Sequence, residues 1–240
     1  MKAERAVKRI TFDRTEANPG ETLFVSVPKL NKNELIVPGS LALVFNLKVG
    51  GHANNFLVQN VSRALVDKFV VKFSGTILQD TVGDDIYKIF EDLFLCEDER
   101  ESKILKGIQS EDLCKIRSNV GDKNSGVAAE NNVNDVHSDK YRIRLDHEIL
   151  TDHGVFYPQA LYSDLIFELT LAPAIQVVKG SDASKLNYRL TNIQLEDEMI
   201  RSEALADEAD SVHKSGKEFA YDHVMREEVV TLKKKHQSTV

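Results

Sequence analysis

Two His–Asp pairs lie close together in the second half of the chain, Asp146-His147 and Asp152-His153, and they are the residues best suited to chemistry. Imidazole and carboxylate are ligands for zinc and other first-row metals. Two of each at the ends of adjacent strands would make a metal site and, with a bound water, a hydrolase centred on His147 and His153. Only two histidines fall in the cluster, however, and both types are common at strand ends, where they bond turn backbone. The expectation is a structural role with no metal. Composition leaves a Ser/His/Asp triad open, but no GxSxG elbow occurs, and Ser74-Gly75 is better explained by a hairpin turn. Neither a GxGxxG nor a GxxxxGK motif occurs, so a nucleotide site has no support. No catalytic, cofactor-binding or metal residue is assigned, and the chain does not read as an enzyme.

The remaining reactive side chains read as structural too. Cys96 and Cys114 lie 18 residues apart with no CxxC, and are expected to be buried free thiols in a reducing compartment. Lys233-Lys-Lys235 is the one basic run; it could contact phosphate or serve nuclear import, but three lysines in a polar tail are usually solvated. At 240 residues the chain is long enough to bury a core, and 42% hydrophobic with 29% charged residues is an ordinary globular composition. A net charge of −7 argues against coating nucleic acid with the whole surface, which makes any such contact indirect or local. Residues Met1 to Lys8 lack the apolar run of a signal peptide, and no window reaches the ~18 apolar residues of a membrane helix. A soluble protein made inside the cell, without membrane contact, is expected.

The elements that would position these groups are mostly strands. Alternation marks Val7–Thr15 and Thr22–Pro28 around an Asn18-Pro-Gly20 turn, and Tyr141–His147 after them. Leu41–Val49 and Leu165–Ala172 are nearly continuous in apolar character and read as strands in the middle of a sheet, well buried. Phe56–Ser62 reads as a short strand, and Leu65–Phe73 with Thr76–Gln79 as a hairpin. Between Tyr188 and Met199 the apolar face is clear only from Ile193 onward.

A helical insert spans about 84–117. In Asp84–Phe94 the residues Ile86, Ile89, Phe90, Leu93 and Phe94 form one helical face, expected to pack on its own domain; a helix near Glu97–Ile108 and one capped by Ser110 follow. A long polar loop covers about 118–140, Ser202 caps a helix through Ala209, and Phe219, Tyr221 and Val229–Leu232 look strand-like. The reading is a mainly β chain: an antiparallel β-sandwich of jelly-roll type with a helical insertion, one domain over 1–232, and a polar Lys-rich tail over 233–240.

Four blocks carry a resemblance. Leu35–Phe45, Asn60–Phe73, Tyr141–Leu150 with Gly154–Leu161, and Leu190–Glu196 resemble the capsid-like proteins of Polinton (Maverick) type mobile elements, which look like the double-jelly-roll major capsid proteins of eukaryotic DNA viruses. The likeness runs in order from about Val7 to Val230. It implies a subunit that pairs with itself, as a trimer in the family, and with other capsid proteins, in a virion or in the cytoplasm or nucleus of a host cell. The family subunit has two rolls. This chain resembles the first, which implies a truncated or domesticated copy. A monomeric sandwich that binds a protein or glycan ligand is the alternative.

Overall fold

The computed structural model describes residues 4–27, 31, 33–52, 54–82, 92–94, 96, 98–99, 108, 110–118, 139–145, 147–151 and 164–215. Twelve strands run through them: β1 Glu4–Thr11, β2 Glu16–Ala17, β3 Thr22–Val27, β4 Glu34–Ile36, β5 Ala42–Gly50, β6 Phe56–Leu57, β7 Val66–Phe73, β8 Thr76–Val82, β9 Lys140–Arg144, β10 Leu165–Leu171, β11 Val178–Lys179 and β12 Asn187–Arg201. The described helices are α1 Val61–Ala64, α2 Glu111–Arg117, α3 Glu148–Thr151, α4 Ala174–Val177 and α5 Glu203–Lys214.

One sheet has the order β1-β12-β5-β9, with β2 and β4 also pairing along the fifteen-residue β12; the other has the order β3-β10-β7-β8. With β1 and β2 taken as one interrupted edge and the short β4, β6 and β11 set aside, eight principal strands remain, and every pairing between them is antiparallel. The pairs nest: first with eighth, second with seventh, third with sixth, fourth with fifth. That is a long doubled ribbon rolled into two facing sheets, a jelly roll. Only the fourth and fifth strands, β7 and β8, are joined by a tight turn, Ser74-Gly75, with φ of 49° and 81°. Positive φ at both positions is what a two-residue hairpin turn needs to match the twist of its strands.

The core lies between the sheets. Strand alternation delivers Leu23, Val25 and Val27 from β3, Phe69 and Val71 from β7, and Phe167 and Leu169 from β10 to meet Leu43, Phe45, Leu47, Tyr141 and Ile143 of the facing sheet. Phe45 and Tyr141 stack with ring centroids 5.7 Å apart. Each such side chain taken fully out of water contributes roughly 1.5–3 kcal/mol before entropy is counted.

β12 explains why its apolar face was only half legible. Tyr188 and Leu190 point into the core at even positions, and Ile193, Leu195 and Met199 at odd ones. Between them the register with β5 slips at Thr191–Gln194 and Asn192 takes φ 54°. The extra residue is a β-bulge that turns the strand over by one position, so a single alternation could not describe it.

Several other expectations need correcting. Phe56–Ser62 is a strand only at Phe56–Leu57, and Val61–Ala64 closes a helical turn instead. β9 stops at Arg144, and α3 occupies Glu148–Thr151 soon after. β10 is central to its sheet but buried on one face, with Ile166 and Glu168 on the other side. Leu93 and Phe94 are 62% and 78% exposed, while Ile86, Ile89 and Phe90 of the same expected face lie outside the described residues. Cys114 is buried, whereas Cys96 is exposed, and both are free thiols. Ser110 and Ser202 cap as expected, their hydroxyls accepting from the amides of Leu113 and Leu205 at 3.3 and 3.4 Å. Most of Asp84–Ile108, the loop at 119–138 and the residues beyond 215 lie outside the described residues.

Candidate functional site

His147 is the one member of the two His–Asp pairs that the structure places. It is buried, its ring stacking on Phe69 with centroids 4.3 Å apart, at a shallow depression lined by Ser62, Arg63, Val66, Ile143 and Leu145. Asp146, Asp152 and His153 lie outside the described residues. Among the described residues no group of three or more His, Cys, Asp or Glu side chains is gathered as a metal site would require.

The helical insert is tied to the sandwich by polar contacts. Asp92 accepts from Arg63 Nε and Asn60 Nδ2, both at 2.9 Å, with both ion-pair partners largely buried. α2 docks on β6: Ser118 Oγ accepts from the Leu57 amide at 3.1 Å, and Cys114 Sγ donates to the Val58 carbonyl at 3.5 Å.

The outer faces of the two sheets differ in chemistry. On the β3-β10-β7-β8 sheet the outward positions mix exposed apolar residues, Phe24, Ile166, Ile77 and Val82, with the ion pairs Lys72–Glu168 and Lys68–Asp80. On the β1-β12-β5-β9 sheet they are mostly charged, with Val7 of β1, 65% exposed, among them. Arg5 and Arg9 of β1, Lys48 of β5, Lys140, Arg142 and Arg144 of β9, and Arg189 of β12 all alternate with buried or half-buried neighbours and are exposed. Four acids share that face: Glu16, Asp139, Glu196 and Glu198. Glu196 sits between two guanidiniums, accepting from Arg142 Nε at 2.8 Å and Arg9 Nε at 3.0 Å. Desolvation alone would raise its carboxyl, but the hydrogen bonds from Arg142 and Arg9 and the attraction of their charges together outweigh this and hold it below the usual range. Seven cations against four acids leave this face positive in a chain of net charge −7. Sequence reading had found only Lys233–Lys235. The signal was present in Tyr141-Arg-Ile-Arg, whose even positions are basic, but the other cations come from strands far apart in sequence.

One carboxylate faces the other way. Asp197 of β12 points into the core beside Leu195 and Met199, is fully buried, and neither oxygen has a hydrogen-bond partner. Burial pushes it up to about 6; Lys8, opposite it on β1, opposes the shift, while Glu34 and Glu196 add to it.

No family model matches the chain, and no curated protein does. Solved structures do. The crystal structure of PBCV-1 VP54 fitted into a cryo-EM reconstruction of the virophage Sputnik superposes with a TM-score of 0.55 at 11% identity, over 88% of this chain and 46% of that one. The fold is a jelly roll like the one in that chain. A quasi-atomic model of the PBCV-1 virus capsid superposes equally, with a TM-score of 0.55 at 12% identity and the same coverage. The chain thus spans about half the length of these capsid chains. At such identity the likeness is one of fold, and the jelly roll is what the two proteins share.

Proposed function

We propose that this chain is a structural subunit of a virus-like shell, non-enzymatic, that associates with itself and with other capsid proteins into capsomers. The observation that carries the reading is the nested strand order of the jelly roll, together with its superposition on a little under half of PBCV-1 VP54. A rigid two-sheet sandwich with wide outer faces suits repeated lateral contacts between copies. The ordered sequence resemblance supports a narrower assignment: the first jelly roll of a Polinton-type major capsid protein, trimeric as in that family, acting in the virion or in the cytoplasm or nucleus of a host cell.

Light scattering on a sizing column, over a series of protein and salt concentrations, tests this. Trimers or larger bodies are the expected result. A 27.0 kDa monomer at every condition would reject self-association and favour a monomeric binding sandwich.

A further inference from the structure

The basic outer face of the β1-β12-β5-β9 sheet calls for an acidic partner, and the same chain carries one. α5 packs through Leu205, Ala206 and Ala209 against Leu35 of β4, at one end of that sheet. Its positions 203, 207 and 210 fall on one stripe turned away from this packing. Glu203 and Asp207 there are exposed, Asp210 is half-buried and ion-paired with Lys214 one turn further along, and exposed Glu208 lies beside them. The stripe from Glu203 to Asp210 is about 10 Å long at 1.5 Å per residue. Lys140, Arg142 and Arg144 form a row of about 13 Å along the edge strand β9, at 3.3 Å per residue.

From this match of sign and length we infer that the basic face of one copy receives the acidic α5 of a second copy, in a head-to-tail contact centred on β9. The inference rests on the shell-subunit reading and adds its contact. A heterologous contact of this kind uses two different patches of one chain, which is how identical subunits build rings or extended arrays. Charge complementarity sets partner and register, and makes the contact sensitive to salt. A nucleic-acid backbone fits the face less well. Glu196 stands in the middle of it, held by two arginines, and no aromatic ring is among its outward residues to stack a base.

The test uses the full chain in three forms: wild type, Lys140→Glu with Arg142→Glu, and Glu203→Lys with Asp207→Lys. Thermal melting and circular dichroism confirm that each is folded, and a neutral pair, Lys140→Gln with Arg142→Gln, serves if reversal prevents folding. Wild-type association that weakens as salt rises, loss of association by about tenfold in either reversed form alone, and its recovery when the two reversed forms are mixed would establish the contact. Association of both reversed forms at wild-type strength would overturn it and leave the shell reading standing. A wild-type chain that stays monomeric throughout would overturn both. If reversal on β9 abolishes retention on a polyphosphate resin while self-association is unchanged, the face reads a polyanion and the α5 contact is wrong.

Discussion

Tyr188 Oη donates to the carbonyl of Ala172 at 2.6 Å, a bond that crosses from β12 in one sheet to the residue just after β10 in the other. Tyr188 is fully buried, and its burial pushes the phenol well above its ordinary value. The hydroxyl therefore stays a donor at any ordinary pH. Tyr188→Phe keeps the ring and removes the bond, leaving a buried carbonyl with one acceptor contact fewer. The expected cost is about 1–2 kcal/mol. Denaturant melts should show a lower midpoint with an unchanged slope, and an unchanged midpoint would mean that this bond contributes nothing to holding the sheets together.

Asp197 makes stability depend on pH. Its carboxyl titrates near 3.8 when unfolded and at about 6 in the folded chain, so the folded state holds the proton more tightly. The stabilisation this gives is complete below the unfolded value, shrinks as pH rises between the two, and is gone above the folded one. The folded chain is then less stable at pH 8 than at pH 5 by about 1.4 kcal/mol from this group. Asp197→Asn should raise the melting temperature at pH 8 by several degrees and flatten the profile between pH 5 and 8. A profile that keeps its slope in the variant would place the titration elsewhere.

Two glycines with positive φ should respond unequally to alanine. Gly75, in the β7–β8 turn at φ 81°, has open space where a Cβ would go, so Gly75→Ala meets only the backbone preference, about 1 kcal/mol. Gly51, at φ 88°, would place a Cβ 1.8 Å from the Lys185 carbonyl oxygen, which is backbone and cannot swing aside. Gly51→Ala should cost over about 3 kcal/mol or prevent folding. Melting temperatures of the two variants compared side by side decide it, and equal losses would mean the chain moves to accommodate the clash.

The Arg63–Asp92 pair should matter more than the surface pairs. Its side chains are 14% and 9% exposed, against 71% and 37% for Arg5–Glu198. Asp92→Ala leaves a largely buried guanidinium without that carboxylate and should cost about 2–4 kcal/mol, whereas Glu198→Ala should cost under about 1 kcal/mol. Urea titrations of both variants are the measurement. A smaller loss for Asp92→Ala would show that the insert is held chiefly by α2 on β6.

Strand identity was written locally and could be read. β1 and β3 follow from alternation over six to eight residues, β7 and β8 from a hairpin around Ser74-Gly75, β10 from an apolar run between turn residues, and the caps at Ser110 and Ser202 from single side chains. The jelly-roll class followed from those strands and from an ordered resemblance. What depended on tertiary structure was everything that joins distant residues. The bulge at Asn192 reverses which side of β12 is inside, and only the pairing with β5 reveals it. The outward placement of Arg9, Arg142 and Arg189 on one sheet follows from strand order, which brings together residues more than 130 positions apart. The burial of Asp197 follows from the same bulge. A sequence states which residues alternate, but the face each side chain joins depends on register and closure, which are properties of the paired sheets.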